Sequence, residues 1–164
     1  MKSRFDARAD RLLTISAVTA LRHAAALEGL EPEVTMQRDA TVVRIMIEWR
    51  ANATLAGRLA AVVAGDAMEC ARIDLLLFYE GHQGRGHYTR VAPALARWAA
   101  AHGVRHLTAS AGGRSHAIFT RTGFQATEAH GIYASAASLG LRMGDSERAG
   151  EATRRARVIP GVSS

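Results

Sequence analysis

The chain is 164 residues long and carries a formal net charge of +6, from 21 Lys and Arg against 15 Asp and Glu. Hydrophobic residues make up 48% and charged residues 22%, which is ordinary for a soluble globular protein. The length predicts one domain with a sizeable core. No apolar run approaches the roughly 20 residues of a membrane span, and the single Cys70 excludes an intramolecular disulfide.

The positive charge is almost all arginine, since Lys2 is the only lysine. Arginine suits bidentate contacts to phosphate, so the charge fits a phosphate-bearing ligand or nucleic acid. The arginines are scattered among acidic residues, and no nucleic-acid-binding motif or aromatic platform accompanies them. Nucleic acid is therefore an unfavoured partner. The N-terminus has no apolar signal core, which predicts a cytoplasmic protein with no membrane partner.

The N-terminal region, residues 6–30, shows apolar residues at helical spacing and predicts a helix, broken in two if the pattern slips. Asp10 is the expected cap of its main segment, and Gly29 and Pro32 are expected to end it. A strand before this helix is visible at best over residues 2–5.

Four strands are expected next. Residues 41–49 alternate apolar and polar side chains, and residues 33–37 fit a shorter strand paired with them. The alanines of residues 53–63 favour a helix, but the turn-like residues on both sides favour a strand. We interpret this segment as a strand. With residues 68–79, these segments form an antiparallel meander.

The stretch from Ile73 to Gly103 organises the chain. An apolar strand leads into a glycine-rich turn with Gly84 and Gly86, and an amphipathic helix follows with Pro93 inside it. A helix N-terminus after such a turn offers unpaired N–H groups and a positive dipole. The pattern predicts a phosphate or pyrophosphate site. The alternative is a glycine turn that binds no ligand.

Two nucleotide-binding motifs do not fit this turn. A P-loop needs Lys and Ser or Thr after its last glycine, where this chain has His87 and Tyr88. The dinucleotide fingerprint needs a third glycine, where Thr89 stands.

The C-terminal part continues the alternation of helices and strands. Residues 104–111 predict a strand parallel to residues 73–79, because a helix crosses between them. Residues 115–122 predict a short helix, residues 127–135 a last strand, and residues 144–164 a polar tail.

Two motifs resemble the GNAT N-acyltransferase superfamily. Gln83-Gly84-Arg85-Gly86 resembles its acyl-CoA-binding motif, Q/R-x-x-G-x-G/A, although the Gln/Arg position falls on Gly81. SHAIFTRTGF resembles the family's helix that ends in Gly-Phe. The resemblance covers about residues 68–133.

The resemblance implies an α/β single-domain GNAT-like fold over residues 1–143, followed by the tail. Its sheet is mixed and mostly antiparallel, with a central parallel strand pair splayed around an acyl-CoA cleft. It implies an N-acyltransferase that uses acetyl-CoA or another acyl-CoA and transfers the acyl group directly to an amine of a small molecule or protein. The alternative is a GNAT-fold non-enzyme that binds CoA or a partner. The acceptor and the oligomeric state stay open.

The resemblance also implies cofactor-binding residues. Backbone groups of Leu77 and Phe78 would pair with the pantetheine arm like an added strand. Amides along the glycine turn would hold the pyrophosphate, with charge from Arg85. These amides belong to Gln83, Gly84, Arg85, Gly86, His87 and Tyr88.

The catalytic residues are less clear from the sequence. Phe119 stands where the family has a tyrosine acid, so Tyr133 is the remaining candidate for a hydroxyl. A packed strand tyrosine is the alternative. Asp74 is the candidate base, because it shares strand parity with Leu76. A salt bridge to Arg72 would explain the same carboxylate. The histidines show no metal-binding spacing, so no metal is expected.

Overall fold

The computed structural model describes residues 3–64, 69–110, 125–126 and 131–135. These residues form a seven-stranded sheet in the order β1-β2-β3-β4-β5-β7-β6, with helices on one face. The helices are α1 (Arg4–Leu12), α2 (Ile15–Ala24) and α3 (His87–Ala101). The strands are β1 (Glu31–Arg38), β2 (Val42–Ala51), β3 (Thr54–Ala64), β4 (Cys70–Phe78), β5 (His106–Ser110), β6 (Gln125–Ala126) and β7 (Gly131–Ser135).

The N-terminal helical region is indeed broken in two. The hydroxyl of Ser3 accepts from Asp6 N in a capping box that starts α1, and the hydroxyl of Thr14 accepts from Ala17 N to start α2. The expectation that Asp10 caps the main segment is wrong, because Asp10 lies inside α1. Phe5 also lies inside α1, so the expected strand over residues 2–5 does not form at that residue.

Strands β1 to β4 form the expected antiparallel meander. The uncertain segment is strand β3, where the tertiary position between β2 and β4 overrides the helix propensity of its alanines. Alternate side chains of β3, including Leu59, Ala61 and Val63, are buried. The hairpin between β2 and β3 turns on Asn52 and Ala53, both at positive φ.

The parallel pair is β4 and β5, as predicted. Among the described residues, four pairs join the two strands, from Cys70 opposite His106 to Ile73 opposite Ala109, and β4 then continues to Phe78. At the same point the register with β3 shifts, so that Asp74 becomes the extra residue of a β-bulge.

Two buried indoles fix the helices to the sheet and to each other. Trp49 of β2 donates from Nε1 to the carbonyl of Ala25 over 2.7 Å, at the end of α2. Trp98 of α3 donates from Nε1 to the carbonyl of Ala17 in α2 over 3.0 Å. The three described helices all fall short of the length and apolar character that crossing a membrane requires.

Several predictions concern residues outside the described ranges. The short helix over residues 115–122, with Phe119, lies there, as do the domain boundary at residue 143 and the tail. These stay predictions.

Candidate functional site

The loop between β4 and α3 begins with a tight turn. Tyr79 N donates to Ala56 O over 2.9 Å, which extends the ladder between β3 and β4 by one bond. His82 N then donates to Tyr79 O over 3.0 Å, and Gly81 has φ +85° at the third position of this turn. That conformation favours glycine, so Gly81 reverses the chain at the end of β4.

Two further glycines lead the chain into α3. Gly84 has φ +69° and Gly86 has φ +74°, both in the left-handed region. A Cβ at Gly84 would meet nothing within 4 Å, so the backbone conformation, not lack of room, requires this glycine. Gly86 is the N-cap of α3 and has no side-chain capping bond. The first turn of α3 carries no acidic residue.

The turn is therefore suited to an anion. It is exposed at Gln83, Gly84, Arg85 and Gly86. The N–H groups of a first helical turn have no acceptor within the helix, and the helix dipole adds positive potential there. The Arg85 side chain adds a full positive charge beside them. This arrangement can hold a phosphate or pyrophosphate group.

The side chain of Gln83 has a contact that the sequence did not reveal. Its Nε2 donates to Phe78 O over 2.9 Å, from the turn back to the end of β4. From the sequence, only the backbone amide of Gln83 was expected to take part in the site. The side-chain bond closes the loop around the strand end.

The free edge of β4 follows from the ladder geometry. In antiparallel pairing, the backbone groups of successive residues point alternately to one neighbour and away from it. Because Tyr79 N bonds Ala56 of β3, Leu77 also points to β3, opposite Arg58. Leu76 and Phe78 therefore direct their N–H and C=O groups to the edge beyond the last described pair with β5.

The ring of Phe78 lies directly over Gly57 of β3. A Cβ at Gly57 would stand 2.7 Å from Phe78 Cε1. The same ring lies 5.0 Å from the ring of His87 and 5.2 Å from that of Trp49, between centroids. The role of Gly57 was not predicted, although a glycine inside a strand indicates close approach of another group.

His87 is the buried polar residue at the start of α3, with 8% of its surface exposed. Burial lowers the pKa of its imidazole, and the nearby positive groups His82, Arg90 and Arg85 lower it further. Neither ring nitrogen has a hydrogen-bond partner among the described residues. His87 is therefore a neutral imidazole at physiological pH, beside the glycine turn.

Asp74 is held by the neighbouring arginine. Arg72 Nε donates to Asp74 Oδ1 over 2.6 Å, and this ion pair raises the pKa of Arg72. Ile73 and Leu76 face α3, whereas Asp74 pairs with Arg72. The expectation that Asp74 shares a face with Leu76 is wrong, because the bulge shifts the alternation between them. The role of Asp74 as base stays a prediction.

Tyr133 is placed by its backbone in β7. It pairs with Thr108 of β5, which in turn pairs with Arg72 of β4. Two strand spacings of about 4.8 Å separate β7 from β4, so Tyr133 Cα is about 10 Å from β4. Its catalytic role stays a prediction. Within the described ranges there is no group of three or more His, Cys, Asp or Glu arranged to hold a metal ion.

Comparison with known proteins gives structural likenesses. No protein-family model matches the chain, and no curated protein matches it. The crystal structure described as AtaTR bound with AcCoA has a TM-score of 0.50 and 14% identity, with 70% of this chain and 98% of that chain covered. The archaeal Methanocaldococcus infernus Elp3 has a TM-score of 0.53 and 10% identity, with 66% of this chain and 30% of that chain covered.

A third structure is similar in sequence as well. The acetyltransferase from Thermus thermophilus is 28% identical, with a TM-score of 0.47. The alignment covers 59% of this chain and 66% of that chain. The likenesses to AtaTR and Elp3 show a shared fold.

Proposed function

We propose that this chain, whose fold is that of the GNAT superfamily, is an acyl-CoA-dependent N-acyltransferase. Acetyl-CoA is the simplest donor, and the acceptor is an amine on a small molecule or protein. The observation that carries the proposal is one juxtaposition: an exposed glycine turn at the N-terminus of α3, directly beside the free edge of β4.

The pyrophosphate of CoA is assigned to the turn. Amides from Gln83 to Tyr88 surround it, and Arg85 supplies charge for a phosphate oxygen. The left-handed conformations of Gly84 and Gly86 shape the turn so that successive N–H groups converge. The buried His87 ring packs behind the turn against Phe78.

The pantetheine arm is assigned to the edge of β4, as an added strand. Leu76 and Phe78 are the residues whose backbone groups point to that edge. The backbone of Leu77, which the resemblance assigned to the arm, pairs instead with Arg58 of β3, so Leu76 takes its place in the proposal. The Gln83 amide already bonds the Phe78 carbonyl. The arm therefore pairs with Leu76 and with the N–H of Phe78, while the Gln83 amide keeps its bond to the Phe78 carbonyl.

The reaction is a direct transfer. The amine nitrogen of the acceptor forms a bond to the thioester carbonyl carbon, and the bond from that carbon to sulfur breaks. Asp74 takes the proton that the ammonium loses before the attack, and the departing CoA thiolate takes a proton from Tyr133 or from water. The second proton, which the nitrogen loses after the attack, restores the proton of that donor, so that CoA leaves as the free thiol. Arg72 Nε donates to Asp74 Oδ1 and orients the carboxylate for this step.

The binding assignment is tested by isothermal titration with CoA. Gly84→Ala and Gly29→Ala form a matched pair, because both glycines have positive φ and neither Cβ would meet an atom within 4 Å. In both variants, an alanine in the left-handed conformation costs about 1 kcal/mol of backbone strain. We expect CoA to bind in the micromolar range, about tenfold more weakly to Gly84→Ala, and unchanged to Gly29→Ala. Equal affinities in all three proteins would overturn the pyrophosphate assignment.

The base is tested separately, by thiol release from acetyl-CoA with a panel of amines. Asp74→Asn should lower kcat about 100-fold with CoA affinity retained. Asp39→Asn is the control, because Asp39 is likewise exposed and paired with an arginine, Arg44, at 3.2 Å. An unchanged kcat in Asp74→Asn would remove the residue from the mechanism.

A second candidate function is a CoA-binding protein without transferase activity. It is favoured by Phe119, which has no proton to give, and by the pairing of Asp74 with Arg72. Tight CoA binding without thiol release for any amine would support this alternative over the enzyme.

A further inference from the structure

An apolar cavity lies between α3 and the sheet. Its volume is about 80 Å³, and its wall consists of aliphatic and aromatic side chains. Protein interiors are close-packed, so a void of this size is unusual. It exists because small residues face each other across it, with Ala61 and Ala71 on the sheet and Ala92 and Ala96 on α3.

The cavity borders the last described pair between β4 and β5. Ile73, the β4 residue of that pair, lines it, and so does Leu76 beyond the pair. Leu107 of β5 contributes from the other strand. The side chain of Leu76 thus lies in the wall of the cavity, while its backbone N–H and C=O groups point to the edge of β4.

The wall restricts what can enter. An ammonium, a phosphate or the amides of pantetheine would lose their hydrogen bonds to water and find no partner there. An alkyl chain makes no hydrogen bonds to water, so it loses none on entering the cavity. We infer that the cavity receives the acyl chain of the donor, so that the protein prefers an acyl-CoA longer than acetyl-CoA. This inference rests on the proposed function, because the proposed function places the thioester at the edge of β4.

The volume sets the chain length. A cavity of roughly 150 Å³ lined by aliphatic side chains takes up benzene, so about 80 Å³ gives room for roughly three carbon atoms. With the two carbons of an acetyl group outside the cavity, the preferred donors have four to six carbons. Each buried methylene contributes ~0.8 kcal/mol, or about fourfold in affinity.

The test is titration of the full chain with CoA and with acetyl-, butyryl-, hexanoyl- and decanoyl-CoA. Affinity should rise about fourfold per methylene beyond acetyl, level off near hexanoyl, and fall for decanoyl. Ala96→Leu, which fills the cavity, should bind acetyl-CoA as the parent does and lose the gain for hexanoyl-CoA. Ala94→Leu is the control, because Ala94 lies on the same helix and does not line the cavity.

The outcomes separate the two proposals. Failure of every CoA species to bind overturns both of them. Binding of CoA with affinities independent of chain length, or highest for acetyl-CoA, overturns the inference alone. If Ala96→Leu does not fold, Ala92→Val replaces it, and the chain-length series on the parent protein decides the inference without any variant.

Discussion

The side-chain amide of Gln83 donates to the carbonyl of Phe78 over 2.9 Å and joins the glycine turn to the end of β4. This bond spans five residues and restrains an exposed loop. Removing it in Gln83→Ala should loosen the turn and weaken CoA binding about two- to tenfold, the value of one hydrogen bond. Titration measures the change. Gln37 is an exposed glutamine on β1, so Gln37→Ala should bind CoA like the parent protein. An equal loss of affinity in Gln37→Ala would show that the effect does not come from the bond between Gln83 and Phe78.

Gly57 is the residue that lets the Phe78 ring lie against β3. Gly57→Ala would place a methyl 2.7 Å from Phe78 Cε1, so the ring must move away from Trp49 and His87. We expect a loss of about 1–3 kcal/mol in the free energy of unfolding, measured by urea denaturation. The double variant with Phe78→Leu should lose less than the sum of the two single variants. Additive losses would show that the ring and Gly57 are not coupled.

The burial of His87 predicts how stability depends on pH. Because the pKa of His87 is lowered in the folded protein, the unfolded chain binds a proton there first as the pH falls. The contribution of neutral His87 to the free energy of unfolding is fully present above the unfolded pKa of about 6.5. It is lost as the pH falls through the pKa of His87 in the folded protein. Urea midpoints between pH 5 and 8 measure this slope.

His87→Phe keeps a ring against Phe78 and removes the titration, so its slope between pH 5 and 7 should be smaller than that of the parent. The exposed His23 serves as control in His23→Gln, which should keep the parent's slope. A slope unchanged by His87→Phe would contradict the assignment of the effect to this residue.

The hairpin between β2 and β3 has a strained backbone that a substitution could relieve. Asn52 and Ala53 form a two-residue loop with φ of 47° and 69°, and Ala51 pairs with Thr54 on either side. Such turns favour glycine at the second position. Ala53→Gly should raise the free energy of unfolding by about 0.5–1 kcal/mol, since relief of left-handed strain outweighs the added freedom of the unfolded chain.

Thermal unfolding measures this gain. Ala40→Gly is the matched control, because Ala40 is also exposed in a hairpin loop but has no positive φ. It should lower the melting temperature. A lower melting temperature in Ala53→Gly as well would mean that the turn relaxes without glycine in solution.

The sequence predicted the main elements because local rules dominate them. Alternation identified strand β2, and the glycine turn before an amphipathic stretch identified α3 and the loop that precedes it. A break between α1 and α2 was left open as a possibility, and the predicted cap, Asp10, was wrong. Thr14 and Asp10 are both competent capping residues, and periodicity alone does not select between them.

The candidate site was predicted in part. Its glycines could be recognised because a left-handed backbone conformation favours glycine over other residue types. The parity argument for Asp74 failed, because a β-bulge is a property of the pairing between two strands and changes the side-chain alternation without a local signal. The Gln83 bond to Phe78 and the approach of Phe78 to Gly57 likewise depend on where the chain returns.

By itself, the sequence determined the order of the described helices and strands and predicted an anion site at the glycine turn, since both rest on residues close together in the chain. The tertiary structure alone decided which backbone groups of β4 point away from β3, which face Asp74 takes and that a cavity lies beneath α3. Each of these depends on strand pairing and on side chains meeting across the core, between residues far apart in sequence. Such contacts follow from how the whole chain packs.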